Sequence, residues 1–287
     1  KQSGYETKTF HPEECTKPGL KSLPPSIGGD CQTRNEQAMG LQDRINRLGL
    51  ERYSTSIMEA ARPCRVARVV DSPSASFLGG LPEVEAGFQW PWKDKRPLEF
   101  LAQLSLADLG IEGEGHLLFF WDNHHWGGSP QDRGHALVTP VAVGETWSEE
   151  LPKFEKVGFF GLKKSMVPVS SYEKRFLRFS DSHSFPVELP AISDEGDYEL
   201  YLDELHTPPE GVVLQSGGYP CPVQSDDMEE DCERAQGAPT DSWSLLLQLD
   251  SSGDMMWGDG GMLYWFIPRQ DLSEPRFDRV WMVMQCH

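Results

Sequence analysis

The chain repeats itself once, and that repetition limits what it can fold into more than any other feature. Phe100-Leu101-Ala102-Gln103-Leu104-Ser105 lines up with Leu245-Leu246-Leu247-Gln248-Leu249-Asp250, and Gly115-His116-Leu117-Leu118-Phe119-Phe120-Trp121 lines up with Gly261-Met262-Leu263-Tyr264-Trp265-Phe266-Ile267. The Gln-to-Gly separations are 12 and 13 residues. Upstream of each pair stands a Gly-Gly-x-Pro turn, Gly79-Gly80-Leu81-Pro82 and Gly217-Gly218-Tyr219-Pro220, and downstream a third β-like run, His135 to Val143 and Arg279 to Cys286. Four features in the same order predict a duplicated unit over residues 79–143 and 217–286, each a Gly-Gly turn followed by a three-stranded meander. A lone meander with one apolar face is marginally stable, whereas two related by a pseudo-two-fold share a core.

The expected fold class is therefore α+β, mainly β, with a roll-like sheet. In the first meander Phe100, Ala102, Leu104 and Leu106 alternate with Leu101, Gln103 and Ser105, so both sheet faces are at least partly covered. Ahead of the repeats, Ala38, Leu41, Ile45 and Leu48 step by three and four as a helix does, and a second helix fits Glu51 to Ala61. These helices are expected to pack outside the sheet. The Arg62-Pro63 pair ends the second helix, and Cys64 to Val70 reads as the first strand. Residues 1–34 read as an irregular arm, residues 35–287 as a single domain, and residues 144–216 as a linker between the copies.

Charge is segregated within that linker and beyond it. Lys153, Lys156, Lys163, Lys164, Lys174, Arg175 and Arg178 face only Glu155 and Glu173 over residues 153–178, a local excess of +5. From Phe179 to Glu233 there are fifteen acids and no Lys or Arg, and the whole chain carries −19. Such a balance repels phosphate backbones and anionic lipid, which argues against nucleic acid and membranes and favours a basic protein partner. Asp226, Asp227, Glu229, Glu230, Asp231 and Glu233 form the densest acidic group and the candidate partner-binding surface, against the plainer reading of a solvated loop. No apolar run approaches a bilayer span, and Lys1 to Asp30 lacks the apolar core of a signal peptide, so a cytoplasmic protein is expected. Six cysteines with no Cys-x-x-Cys spacing suit buried or free thiols in a reduced compartment, although Cys15 with Cys31 and Cys221 with Cys232 could each close a small loop.

Chemistry-bearing clusters are few. Trp121-Asp122-Asn123-His124-His125-Trp126-Gly127-Gly128 offers two imidazoles and a carboxylate, with His116 or His135 as a further metal ligand. Adjacent strand residues point to opposite faces, so the pair would need a turn to converge, and no metal or other cofactor is expected. Ser76 and Ser216 lack a nucleophile motif, and Gly258-Asp259-Gly260-Gly261 reads as a hairpin turn and not as a phosphate cradle. No catalytic residue is assigned. Gln103 and Gln248, matched in the repeats, read as buried amides bonded to backbone across the pseudo-axis. Trp90, Trp92, Trp121, Trp126, Trp257 and Trp265 fall near strand ends or turns. Trp90, Trp121, Trp126 and Trp257, with Asp259, are candidates for an aromatic cleft between the halves, against closing the ends of the sheet.

Five motifs in order, Phe77-Leu78-Gly79-Gly80-Leu81-Pro82, Phe88-Gln89-Trp90-Pro91, Pro97-Leu98-Glu99-Phe100-Leu101-Ala102-Gln103-Leu104, Trp257-Gly258-Asp259-Gly260-Gly261-Met262-Leu263-Tyr264 and Val280-Trp281-Met282-Val283-Met284-Gln285-Cys286, resemble the YwqG-like family of bacterial proteins of unknown function. The resemblance implies a mainly β architecture of two related halves and no established enzymatic chemistry. Some relatives resemble immunity proteins that block secreted bacterial toxins, so the resemblance implies an intracellular binding protein that occludes a basic toxin such as a nuclease. The alternative is a small-molecule-binding protein or enzyme using the aromatic cleft.

Overall fold

Glu99–Ser105 and His116–Trp121 are buried at nearly every position, so neither has a solvent face, and in the computed structural model both lie within one large antiparallel sheet. The structure describes residues 40–142, 144–147, 150–157, 164–237, 239, 242–273 and 276–287. Its strands are β1 (Arg62–Val70), β2 (Phe77–Leu78), β3 (Glu83–Val84), β4 (Trp92–Lys93), β5 (Arg96–Pro97), β6 (Glu99–Ser105), β7 (His116–Trp121) and β8 (Ala136–Val141). They continue with β9 (Glu145–Thr146), β10 (Lys153–Val157), β11 (Lys164–Pro168), β12 (Arg175–Ser184), β13 (Val212–Ser216), β14 (Trp243–Asp250), β15 (Met262–Pro268) and β16 (Trp281–Gln285). The main sheet has ten strands in the order β16-β15-β14-β13-β1-β12-β2-β6-β7-β8. It is mainly β, as expected, and nearly closed.

That order reads the same from either edge when β1 is matched with β12 and β2, β6, β7 and β8 with β13 to β16. The registers match as well. Phe77 pairs Gln103 and Gln215 pairs Gln248, each two residues before a Gly-Gly turn. Both central meanders carry one bulge at the same step, between Phe100 and Ala102 and between Leu245 and Leu247. Gly79, Gly80, Gly217 and Gly218 all have φ between 61° and 74°, a region costly for residues with a Cβ. Residues 144–216, expected to be a linker, supply β12 and β13 to the middle of the sheet, because β1 and β12 pair along nine residues and each half lends a strand to the other.

Alternation along the strands sorts two layers. Leu117, Phe119, Trp121, Leu247, Leu249, Leu263, Trp265, Met282 and Met284 share one inner core that spans both halves. On the outer side, Phe100, Leu118 and Phe120 of the first half are covered by Val84, Trp90 and Val169. Leu245, Tyr264, Phe266 and Val283 of the second half are covered instead by a helix, Met228–Gln236. The helices Leu41–Arg47 and Ser54–Ala60 pack outside the sheet with Glu195–Tyr201, through Ile45, Ile57, Phe185 and Tyr201.

Gln103 and Gln248 do bond to backbone, but not across an axis. Gln103 Oε1 accepts from Glu83 N and Gln248 Oε1 from Cys221 N, both at 2.8 Å, each donor being the third residue after its own Gly-Gly pair. The amides thus pin the Gly-Gly-x-Pro turn to the strand of the same half. Cys64, Cys221, Cys232 and Cys286 are free thiols, so the Cys221–Cys232 loop is not closed; Cys15, Cys31 and the arm 1–34 lie outside the described residues. Among the described residues no helix is long and apolar enough to cross a membrane.

Candidate functional site

The two edges of the sheet, β8 and β16, meet at a seam made by the segment between β7 and β8. After Trp121 the chain turns at once: Asp122 O accepts from His125 N at 3.0 Å, closing a turn over Asp122-Asn123-His124-His125. Trp126 O then accepts from Met284 N at 2.9 Å, and Gly127 O from the Trp281 indole at 2.8 Å, which fastens the first half to β16. Gly127 has φ 82°, and a Cβ there would sit 1.7 Å from Met282 O, so this approach requires glycine. On return the chain passes a short 3-10 turn, Pro130–Asp132, and Asp122 N donates to His135 O at 2.8 Å, restoring the ladder into β8.

This path collects titratable groups. Asp122, His125 and His135 each offer one donor atom, and the three lie within 4.8 Å of one another. Asp122 Oδ2 is 3.3 Å from His135 Nδ1 and 4.0 Å from His125 Nε2. The imidazoles of His125 and His135 stack with centroids 3.3 Å apart and 19° between planes. Two protonated rings at that distance would repel, and burial together with this repulsion lowers the His135 pKa, opposed by the Asp122 carboxylate. Asp132 braces the cluster from behind, accepting from Gly127 N at 3.0 Å through Oδ2 and lying 2.9 Å from His125 Nδ1 through Oδ1. Asp94, whose own φ is 54°, approaches His135 Nε2 at 3.9 Å. Beside the cluster lies a pocket of about 190 Å³, lined by His125, Asp132 and His135 from the first half and by Gln236, Asp278 and Trp281 from the second.

The turn that the two adjacent histidines needed is therefore present, and it selects between them. His125 swings toward His135, while His124 faces Arg96 at 3.2 Å and touches only the other oxygen of Asp122. His116 takes no part; it is buried at the start of β7, where burial lowers its pKa. The seam residue that sequence reasoning passed over is Asp132.

A family model described as a domain of unknown function, DUF1963, matches residues 76–286. The chain belongs to this family. No curated protein matches its sequence. Both Gly-Gly turns, both meanders and the whole seam fall inside the DUF1963 match, whereas β1 and the two N-terminal helices precede it.

Within the DUF1963 domain the expected aromatic cleft does not assemble. Trp121 and Trp257 pack edge to face at 5.5 Å in the inner core, Trp90 sits beneath Phe120 and Trp147, and Asp259 is on an exposed turn. These indoles are apolar core groups, and the tryptophan at the junction of the halves is Trp281, with the exposed Trp126 near it. The six acids lie just before and along one helix. Asp226, Asp227 and Glu230 are exposed and Glu229, Asp231 and Glu233 half-buried at the start and along the helix Met228–Gln236, which turns Met228, Cys232 and Ala235 to the sheet. Three acids in the first turn also stabilise the helix electrostatically. The helix runs up to the seam: Arg133 donates to Ala235 O at 3.1 Å, and Gln236 lines the pocket.

Proposed function

We propose that this protein is an intracellular binding protein that engages a basic protein partner through one continuous face, the acidic helix Met228–Gln236 and the seam pocket at its C-terminal end. The observation that carries this reading is their contiguity: the helix that bears the densest acids of a chain with net charge −19 ends, at Gln236, on a concavity lined by Asp132 and Asp278 against the cation Arg133. A partner rich in Lys and Arg would be steered by the field of the helix and could seat one basic side chain in the pocket. The likeness of the five motifs to YwqG-like proteins supports the finer reading, an immunity protein that occludes a basic bacterial toxin such as a nuclease, with nucleic acid and membrane disfavoured as partners by charge. The test is association of the purified chain with the basic protein encoded beside it, followed at low and high salt. Replacing the six acids with Asn and Gln should slow association and flatten its salt dependence while leaving stability nearly unchanged. Equal rates for variant and parent at both salts would refute it.

A second reading, small-molecule binding between the halves, is favoured by the pocket itself, which joins residues of both halves around two imidazoles. It differs in leaving the six acids without effect on ligand affinity.

A further inference from the structure

We propose that Asp122, His125 and His135 form a binding site for a divalent transition-metal ion such as Zn²⁺, ligated by Asp122 Oδ2, His125 Nε2 and His135 Nδ1, with its remaining coordination open to the seam pocket. The inference is independent of the partner reading.

Four observations carry it. The donor set is right: two imidazoles and one carboxylate, without thiolate, suit Zn²⁺ or Fe²⁺ and are too poor in oxygen for Ca²⁺. The outer partners are right as well. A metal-bound imidazole needs its second nitrogen held by an acceptor; His125 Nδ1 has Asp132 at 2.9 Å, and His135 Nε2 faces Asp94 at 3.9 Å. The Asp132 contact puts the His125 ring proton on Nδ1 and leaves Nε2 as a lone pair; His135 Nδ1, which donates to Asp122 Oδ2 at 3.3 Å in the metal-free site, must give up that proton for the ion. Charge also favours a cation. Asp94, Asp122 and Asp132 surround the two rings; Arg96, 3.7 Å from Asp122 Oδ1, and Lys93, whose charge reaches His135, offset two of the three, and the Asp122 side chain is only 2% exposed, so solvent screens it little. Finally, the backbone assembles the donors without an ion, through the Asp122 turn and the Asp122 N to His135 O bond.

The fit requires a small movement. Tetrahedral bonds of about 2.0–2.1 Å need donors about 3.3 Å apart, a spacing the Asp122–His135 edge already has at 3.3 Å. The His125 edge, at 4.0 Å, must shorten, and the stacked rings must open from 19° so that both lone pairs aim at one point. His125 has the freer side chain, at 32% exposure against 8% for His135, so its rotation closes the site. The pocket next to it leaves room for water or a further donor at the open position.

The experiment uses the full chain, freed of metal with a chelator and dialysed, then titrated with Zn²⁺ by calorimetry and with Co²⁺ by visible absorption. One ion per chain is expected, with the intense bands of four- or five-coordinate Co²⁺. His125→Asn and His135→Asn should weaken Zn²⁺ binding at least about 100-fold, and Asp132→Asn, which acts through His125, about 10- to 100-fold. His124→Asn and His206→Asn should stay within about two-fold of the parent, because neither is a ligand. If the buried His135 variant does not fold, His125→Asn and Asp132→Asn, on less buried side chains and checked by circular dichroism, decide the matter. The proposal fails if no saturable one-to-one binding is seen, if Co²⁺ stays six-coordinate, or if binding survives His125→Asn. Equal loss in His124→Asn and His125→Asn would overturn the ligand assignment.

Discussion

Gly127→Ala tests how the edges of the sheet are held together. Alanine at φ 82° costs about 1–2 kcal/mol in backbone strain alone. Its Cβ would stand 1.7 Å from Met282 O, where real contacts begin near 3.0 Å, so the segment must retreat by at least about 1.3 Å. That carries the Met284 N to Trp126 O bond, now 2.9 Å, and the Trp281 indole to Gly127 O bond, now 2.8 Å, out of range. The Trp281 indole and Met284 are buried, so each lost bond costs about 1–3 kcal/mol, and the total comes to about 3–8 kcal/mol. Gly128→Ala is the control: nothing lies within 4 Å of its Cβ and its φ is not left-handed, so its stability should stay within about 0.5 kcal/mol of the parent. Urea unfolding of the three proteins reads the difference. A Gly127→Ala variant within about 0.5 kcal/mol of the parent would refute the seam as a structural closure.

Further outcomes follow from the same geometry. Gln103→Leu and Gln248→Leu should each cost about 1–3 kcal/mol by stranding the Glu83 and Cys221 amides, and near-equal losses are expected because the two bonds are equivalent; urea midpoints check this. If the palindromic strand order reflects duplication, residues 79–143 and 217–286 superpose in an experimental structure with Gln103 on Gln248, and non-equivalent positions would exclude it. Burial pushes the Cys64 and Cys221 thiols from 9.0 up to about 11. Below pH 9 both folded and unfolded chains keep these protons; between pH 9 and 11 the unfolded chain releases them first, so stability falls by about 1.4 kcal/mol per pH unit and thiol, a slope that Cys64→Ala and Cys221→Ala should flatten. Metal-free protein should still melt cooperatively, since the donors are assembled by backbone bonds, while excess Zn²⁺ should raise its melting temperature; a metal-free chain without a cooperative melt would contradict the first half.

The sheet was legible because its signals are local and occur twice. Gly-Gly after one strand, Gln in the next of the main sheet and Gly before the third mark a hairpin series whatever surrounds them, and the Gln is tied to the turn by a bond within one half, as with Gln103 and Glu83. What the repeat could not tell was which half each flanking strand would join. β1 pairs β12 and β13, so strands outside the repeated motif bridge the halves, a choice made by tertiary packing. The helix Met228–Gln236 was hidden by charge, although Met228, Cys232 and Ala235, spaced by four and three, marked its buried face. The His125–His135 pair was obscured for another reason. The two are ten residues apart, and they meet because the ladder between β7 and β8 is extended by the Asp122–His135 bond; a turn after Trp121 was the signal, and Gly127-Gly128 its trace.

A sheet that ends in two exposed edges invites pairing with another chain. Here the edges β8 and β16 occupy matching positions in the palindrome, yet they are not joined in the manner of the other neighbours. Instead the 14 residues between β7 and β8 reach over to β16, while the 12 residues between β15 and β16 run through the turn Phe277–Arg279 and contribute Asp278 and Val280 to the pocket. The seam is thus where the two halves must differ, since one connection has to cover the edge of the other. Residues there are released from the apolar pattern that both meanders share, and polar groups gather beside Leu137, Val280 and Met282: Asp122, His125, Asp132 and His135 on one side, Gln236 and Asp278 on the other. A buried carboxylate beside two stacked imidazoles stabilises a fold poorly, because each group is desolvated and only partly paired. In Asp122→Asn the side chain still offers an acceptor to His124 N, so the replacement should cost no more than the charged contacts to His135 and Arg96, while removing the charge on which any cation at the seam depends. Loss of Zn²⁺ binding with a urea midpoint near the parent's would separate the seam's chemistry from its structural role; a collapse in stability would mean that Asp122 is retained as a brace for the turn.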